Sequence, residues 1–425
     1  MLVVGGGLAG LSAAWRLQSR GAEVTLLEAR QRTGGHLVRE KLAGIEFEPS
    51  WPVVPASAPA LCGLVRELGL GARVRRTPIE RAVLADGRRH RPIELSPVSR
   101  RGFGGLRRRR VRRLLEWFGP KLDARRPELG VRLDDRSTAA FARLYLGRAP
   151  DPEQLGPLFE SAFGLDSRDT SRLLLMLLLD AAADLRVSSV SGLSALVEAL
   201  ASRLDDVRLE APVARVAADG RQCTLVSGEQ LTADAVVIAL CTRRARGLVE
   251  SLLPGERAFF DAGRRVERLH LALALGTELT APLTWLPRAR GGTLSAIADA
   301  TPLAAERAGE VRAGGRLALL VARPHGLRDT TESDERRAER LLREARAVWP
   351  SLAHGVEGTL VCRPGATPEF GPGHYRRVAA LREAGAQAPD RSLFFADPAL
   401  VGPHCEGAVQ SAERAAADAL AFLER

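Results

Sequence analysis

Leu2-Val3-Val4-Gly5-Gly6-Gly7-Leu8-Ala9-Gly10 runs a short apolar strand straight into a glycine-rich turn. Gly5, Gly7 and Gly10 fall at the G-x-G-x-x-G spacing, and each position has a physical reason. The first glycine permits a tight turn, the second lets backbone approach a pyrophosphate, and the third lets the next helix pack closely on the strand. Residues 11–20 carry Leu11, Ala14 and Leu17 at helical spacing. Leu8 and Ala9 therefore stand at the amide-rich end of a helix, which favours a phosphate. Gly21 ends the helix, and Glu23-Val-Thr-Leu-Leu-Glu28 reads as a second buried strand. Glu28 closes it roughly 20 residues on, where an acid takes the ribose hydroxyls of an adenosine. An acid there suits a cofactor without a 2′-phosphate. The alternative is a plain β-α-β unit with a chance glycine turn; strand, turn, helix, strand and acid in register argue for a nucleotide.

A second glycine pair follows in Ala29-Arg30-Gln-Arg32-Thr-Gly34-Gly35. At this point the chain resembles the FAD-dependent amine oxidase superfamily, which includes flavin amine oxidases, phytoene desaturases and protoporphyrinogen oxidases. The resemblance implies that Glu28, Ala29, Arg30, Arg32, Gly34 and Gly35 contact FAD, the last three against its pyrophosphate and ribityl chain. Two departures stand out. His36-Leu-Val-Arg39 replaces a basic residue usual near the glycine pair, and Phe47-Glu48-Pro49-Ser50-Trp51 replaces an acid followed by Gly-Pro.

Further segments extend the likeness. Residues 188–209 read as a glycine turn at Gly192 opening an amphipathic helix, and Val207 to Val216 alternates as a strand does. Asp219-Gly220 makes a hairpin turn, Cys223-Thr-Leu-Val returns, and Thr232 to Ala239 reads as a buried strand. By resemblance, backbone at Val213 contacts the adenine. Near the C-terminus, Leu393-Phe-Phe-Ala396-Asp397 is a strand, and Gly402-Pro-His-Cys-Glu406-Gly407-Ala408-Val409 opens the last helix. The resemblance aims that helix at the pyrimidine edge of the flavin, whose reduced form carries charge that helix amides stabilise. Asp397, Glu406, Gly407, Ala408 and Val409 are accordingly expected at the cofactor. Here Asp397-Pro398 replaces the family's Gly-Asp or Gly-Asn.

The expected fold class is α/β: a Rossmann-like FAD-binding domain with a parallel sheet and an antiparallel hairpin insertion, plus a discontinuous α+β substrate domain. The boundaries are 1–76, 188–264 and 365–425 for the first, and 77–187 and 265–364 for the second. Within the second, 134–146 reads as a capped helix, and 157–171 as a helix ending at Gly164 before a serine-containing helix start. Residues 265–275 and 316–322 read as alternating strands, 333–348 as a charged surface helix, and Leu173–Leu179 as a core helix. Pro368, Phe370 and Gly373 match a Pro-aromatic-Gly pattern of the family.

No side-chain acid or base stands out as catalytic, because the flavin carries the redox chemistry. Amine oxidases of the superfamily commonly place a lysine near flavin N5 on the strand resembling 265–275, and an aromatic box around the amine. This chain has no lysine after Lys121, and its only tyrosines are Tyr145 and Tyr375. The resemblance is therefore nearest to protoporphyrinogen oxidase-like proteins. It implies dehydrogenation of a large, mostly apolar substrate by hydride transfer to flavin N5, protoporphyrinogen IX to protoporphyrin IX. Carotenoid or isoprenoid desaturase and flavin amine oxidase activities stay open. So does a degenerate, non-catalytic FAD- or tetrapyrrole-binding protein, on the strength of Ser50, Asp397 and Pro398.

A chain of 425 residues, 45% hydrophobic, can bury a large core and normally divides into two domains. The net charge of +11 is almost wholly arginine, lysine occurring only at 41 and 121. Together with the Ala, Leu and Gly richness this points to a GC-rich coding background, and no nucleic-acid module accompanies it. Arg100 to Arg113 is the densest charge run, with Leu106, Val111, Leu114, Leu115, Trp117 and Phe118 interleaved. A solvated helix face, an anionic membrane surface contacted through 100–118, and a partner for tetrapyrrole propionates are three readings of it. Five scattered cysteines without C-x-x-C spacing argue against a disulfide framework or a zinc site. No apolar run approaches the ~20 residues of a membrane span, and residues 1–17 read as strand and helix rather than a signal peptide. The expected location is cytoplasmic, with peripheral contact to the inner membrane face open, as is oligomeric state. Only four residues precede Gly5, so a short first strand is expected and the start site merits checking.

Overall fold

The computed structural model describes the chain apart from residues 51, 56, 80, 87–88, 95–104, 148–154, 180–186, 280, 289–291, 304–315 and 328–330. Strands β1 (Leu2–Val4), β2 (Thr25–Leu27), β3 (Asp206–Arg208), β4 (Val236–Ile238) and β5 (Leu393–Phe395) form a wholly parallel sheet in the order β3-β2-β1-β4-β5. Their continuous Val and Leu runs reflect burial on both faces. Val3, Leu26 and Val237 pack on helices α1 (Leu8–Gln18), α2 (Pro59–Glu67), α3 (Leu193–Ala201) and α4 (Cys405–Leu423). Leu2, Val4, Leu27, Val236 and Ile238 face the other way, toward Val216, Cys223, Leu225 and Phe260.

The second sheet has seven strands: Val356–Cys362, His270–Leu275, Arg316–Ala322, Leu294–Asp299, Leu283–Trp285, Arg81–Asp86 and Arg89–Glu94, in that spatial order. All pairs are antiparallel except Leu283–Trp285 with Arg81–Asp86. The helix Asp334–Val348 covers one face through Leu341, Ala345 and Val348, which pack with Leu271, Leu273 and Leu275. Ala272, Ala274 and Trp285 look to the opposite face, toward Phe159 and Phe163.

Three readings of the sequence change. Val207 to Val216 is not one strand: β3 joins the parallel sheet, while Val213–Val216 starts a three-stranded antiparallel meander with Gln222–Leu225 and Gln230–Thr232. Glu210, at φ 52, and Pro212, which lacks an N–H, break the ladder between them. Thr232 to Ala239 likewise divides between the meander and β4. Residues 265–275 split into Arg265–Val266 and His270–Leu275, and the latter is buried at every position because the sheet is covered on both sides. The helices at Thr138–Tyr145, capped by Ser137, and Arg172–Leu178, capped by Ser171 and largely buried, fall where the sequence pattern put them. Residues 100–104 of the arginine run lie outside the described residues; Arg109, Arg112 and Arg113 of helix Gly105–Phe118 are exposed. Among the described residues, no helix is long and apolar enough to cross a membrane.

Candidate active site

The three spaced glycines answer to different neighbours. A Cβ on Gly5 would lie 2.6 Å from the Ala239 oxygen, and one on Gly10 would lie 1.8 Å from the Gly5 oxygen. Gly10 is glycine because helix α1 must touch β1, and Gly5 because the chain leaving β4 lies against it and its φ is 109°. At Gly7 an added Cβ meets nothing within 4 Å, and φ of −78° suits any residue. No described protein atom requires glycine there; a pyrophosphate lying on the turn would.

Glu28 stands immediately after β2. Its Oε2 accepts from the Gly6 amide at 2.7 Å and its Oε1 from the Arg30 amide at 3.0 Å. The second glycine pair folds back onto the first: Gly34 N donates to Gly6 O at 2.7 Å, and a Cβ on Gly35 would sit 3.2 Å from Gly7 Cα. Gly34 and Gly35 both take positive φ, at 98° and 60°. Glu210 N donates to Arg30 O and Ala211 N to Glu28 O, which lays the segment leading to Val213 alongside the Glu28–Arg30 loop. Gly5, Gly7, Leu8, Ala9, Gly10, Glu28, Ala29, Arg30, Gly34, Gly35 and Val213 thus gather at one end of the parallel sheet. Arg32 is exposed, its Nη1 donating to the neighbouring Thr33 carbonyl at 3.3 Å.

At the C-terminal end of β5, Asp397 is 4% exposed and caps the turn Pro398–Leu400, its Oδ1 accepting from Ala399 N at 2.9 Å. Its Oδ2 makes no hydrogen bond of good geometry. Burial raises the carboxyl pKa, against the opposing pull of the Ala399 amide and Arg265. His404 caps α4, with Nδ1 accepting from Gly407 N at 2.8 Å. Burial pushes its imidazole down to about 4, so it is neutral at physiological pH. Ala408 and Val409 pack into the core beneath the parallel sheet.

The Glu406 side chain turns away from the opening of α4. Its carboxylate accepts from Ala60 N at 3.0 Å and Leu61 N at 2.7 Å, capping α2. Glu48 does the same for α3, accepting from Ser194 N at 2.6 Å and Gly192 N at 3.2 Å. Two glutamate carboxylates thus cap helix ends on this side of the molecule.

Sequence reasoning missed two residues here. His270, at 0% exposure, donates from Nδ1 to Pro49 O at 3.1 Å, which leaves Nε2 as a buried acceptor without a partner. Burial, with Arg268 nearby, pushes it down to about 3. Arg268 holds a buried Nη2 without a hydrogen-bond partner among the described residues. The legible signal was a charged residue beside an otherwise unbroken apolar strand.

Against known proteins, the family described as flavin containing amine oxidoreductase matches residues 8–420. The chain belongs to this family. This amine oxidase-family protein is accordingly an FAD-dependent oxidoreductase. It is 39% identical over 74 residues to a coproporphyrinogen III oxidase of Propionibacterium freudenreichii subsp. freudenreichii; the match spans 17% of this chain and 14% of that protein. A cofactor-binding redesign of putrescine oxidase superimposes with a TM-score of 0.76 at 18% identity, over 99% of this chain and 98% of its own. A candidate protoporphyrinogen oxidase from Exiguobacterium sp. 255-15 gives 0.73 at 20% identity, over 100% and 98%. At such identities these two likenesses establish the fold.

Proposed function

We propose that this oxidoreductase dehydrogenates a large, mostly apolar substrate, with protoporphyrinogen IX to protoporphyrin IX as the reaction that best fits the site. When bound, flavin would supply the redox chemistry as hydride acceptor. The turn at Gly5, Gly7 and Gly10 would hold its pyrophosphate, Glu28 the adenosine ribose, Gly34 and Gly35 the ribityl side, and backbone at Val213 the adenine. The amides opening α4, at Glu406 to Val409, would serve the flavin end under the His404 cap, with Asp397 beside them. Residues 1–76, 188–264 and 365–425 form the cofactor domain in this reading, and 77–187 with 265–364 the substrate domain.

One observation carries the choice of substrate class. The histidines at this end, His270 and His404, are held neutral with pKa values of about 3 and about 4, and no lysine occurs after Lys121. Arg268 is a fixed cation beside His270. Such a wall favours an apolar substrate with no ammonium to neutralise. The short likeness to a coproporphyrinogen oxidase and the shared fold of a candidate protoporphyrinogen oxidase support the same reading.

The test is direct. Purified protein should be yellow, should release FAD on denaturation, and should bleach when mixed anaerobically with protoporphyrinogen IX. Bleaching by amines or phytoene-type polyenes alone would replace this substrate. Colourless protein that does not take up FAD would favour a non-catalytic role.

A further inference from the structure

His270 heads a strand, His270–Leu275, that is otherwise Leu and Ala and is buried at every position. A buried polar side chain in such a run is the informative exception, and it needs a partner. That partner lies outside the seven-stranded sheet: Nδ1 donates to Pro49 O at 3.1 Å, 221 residues away in sequence. A carbonyl can only accept, so the bond fixes the tautomer with its proton on Nδ1. Burial, with Arg268 nearby, holds the imidazole down at about 3, so this neutral tautomer serves throughout the physiological range.

Residues 47–50 are all buried, and their polar groups beyond the strand end at Phe47 are satisfied one by one. Glu48 N donates to Leu303 O at 3.3 Å. The Glu48 carboxylate accepts from Ser194 N at 2.6 Å and Gly192 N at 3.2 Å, at the start of α3. Pro49 has no N–H, and among the described residues His270 is the one donor to its carbonyl. From here the contacts lead toward the glycine pair and the last helix. A Cβ added at Gly34 would lie 3.1 Å from Cγ2 of Val197, a residue of α3. Burial and then the Glu48 charge push the Cys405 thiol up to about 12, which sets Glu48 near the first residue of α4.

We propose that His270 is a positioning residue whose hydrogen bond to Pro49 locks residues 47–50 and, through Glu48, holds α3 and the opening of α4 in place for FAD. The inference rests on the assignment of Gly34, Gly35 and the opening of α4 to the cofactor given above. An aliphatic side chain at 270 would suit the sheet equally well, but it would leave the buried Pro49 carbonyl without a donor. The histidine thus ties the seven-stranded sheet to segments that the cofactor needs, without touching the cofactor itself.

The experiment compares two amides in the full-length, FAD-loaded protein. In His270→Asn the amide nitrogen stands where Nδ1 stood, whereas in His270→Gln it lies one methylene further out and misses Pro49. Three quantities are read: hydrogen exchange with FAD in excess, the rate of FAD release on dilution, and the absorbance spectrum of the bound flavin. His270→Gln should speed exchange in peptides spanning 45–50 and 192–198 about fivefold or more. It should also release FAD about tenfold faster and alter the flavin spectrum. His270→Asn should behave as wild type in all three. Glu48→Ala cuts the next link and should reproduce the faster exchange at 192–198 and the faster release. Unchanged exchange in His270→Gln overturns the proposal, as does an asparagine variant no better than the glutamine one, which would make ring volume the cause. Wild-type FAD release from Glu48→Ala overturns it even if His270→Gln does not fold. Faster exchange in both peptides with FAD release and spectrum unchanged is a different failure. It keeps the hydrogen-bonded link but shows that FAD does not lie against Gly34 and α4.

Discussion

At Gly10 an added Cβ would lie 1.8 Å from the Gly5 carbonyl oxygen, whereas at Gly7 it would meet no protein atom within 4 Å. One spacing motif thus combines a packed glycine with an open one, on which the proposed pyrophosphate lies, and single substitutions should divide them. Gly10→Ala forces helix α1 away from β1 and should leave little folded protein, since the opposing atom is backbone and cannot yield. Gly7→Ala should keep the apoprotein within about 0.5 kcal/mol of wild type, as for a surface change without strain, yet lose most of its FAD. Urea melts of the apoprotein and the FAD content after purification check both. A Gly7→Ala protein that retains FAD would show that the pyrophosphate does not lie on this turn. The positions of these glycines were legible in the sequence; which of them serves the protein and which the ligand required coordinates. Glu406 shows what sequence could not: its carboxylate is taken by the α2 amides of Ala60 and Leu61, more than 340 residues away in sequence.

Among the elements, the ends proved less legible than the middles. The boundary at Glu210–Pro212 was hidden because the flanking alternation continues across it, although the two halves join different sheets. His270–Leu275 lost its expected alternation because the Asp334–Val348 helix covers the face that would otherwise be wet. Three imidazoles punctuate these elements, His270 and His374 buried and His404 half-buried, and they make a pH prediction. His374 Nε2 donates to Ala399 O at 2.7 Å, His270 Nδ1 to Pro49 O, and His404 Nδ1 accepts from Gly407 N. Burial holds them at about 4, about 3 and about 4, below the ordinary 6.5. Between pH 6.5 and about 4 the unfolded chain binds protons that the folded chain refuses. Stability is therefore complete above pH 6.5 and falls with acid, by up to ~1.4 kcal/mol per pH unit for each histidine. His374→Gln keeps a donor without titrating. Urea melts at pH 7 and pH 5 should show it losing clearly less stability than wild type between the two. Equal losses would mean that His374 charges freely in the fold.

Across the whole molecule, segments far apart in sequence meet at a buried ionic cluster. Glu160, in the turn Phe159–Phe163, is 1% exposed. Its Oε1 accepts from Arg288 Nε at 2.8 Å and its Oε2 from Arg323 Nη1 at 2.6 Å, more than 120 residues away in sequence. Arg288 also reaches Asp166 Oδ1 at 2.9 Å. Burial opposes the Asp166 charge, yet hydrogen bonds from Arg168 and the charges of Arg288 and His325 hold its carboxyl down at about 2. Trp285 Nε1 donates to Ser161 Oγ at 3.2 Å and closes the same junction. Bringing these charges out of water is expensive, so the cluster as a whole adds little over a well-packed apolar joint, while a broken cluster is another matter. Glu160→Gln leaves two guanidinium groups facing each other without their shared counter-ion, and should destabilise the protein by about 3–5 kcal/mol. Replacing all three members together, Glu160→Leu with Arg288→Met and Arg323→Met, should recover most of that loss, because no charge is left stranded. Urea melts of the single and triple variants decide it. A single variant within about 1 kcal/mol of wild type would mean that water enters the junction and screens the arginines. A triple variant no better than the single one would mean that the cluster's geometry, rather than its charge balance, holds the second sheet to the 159–163 turn.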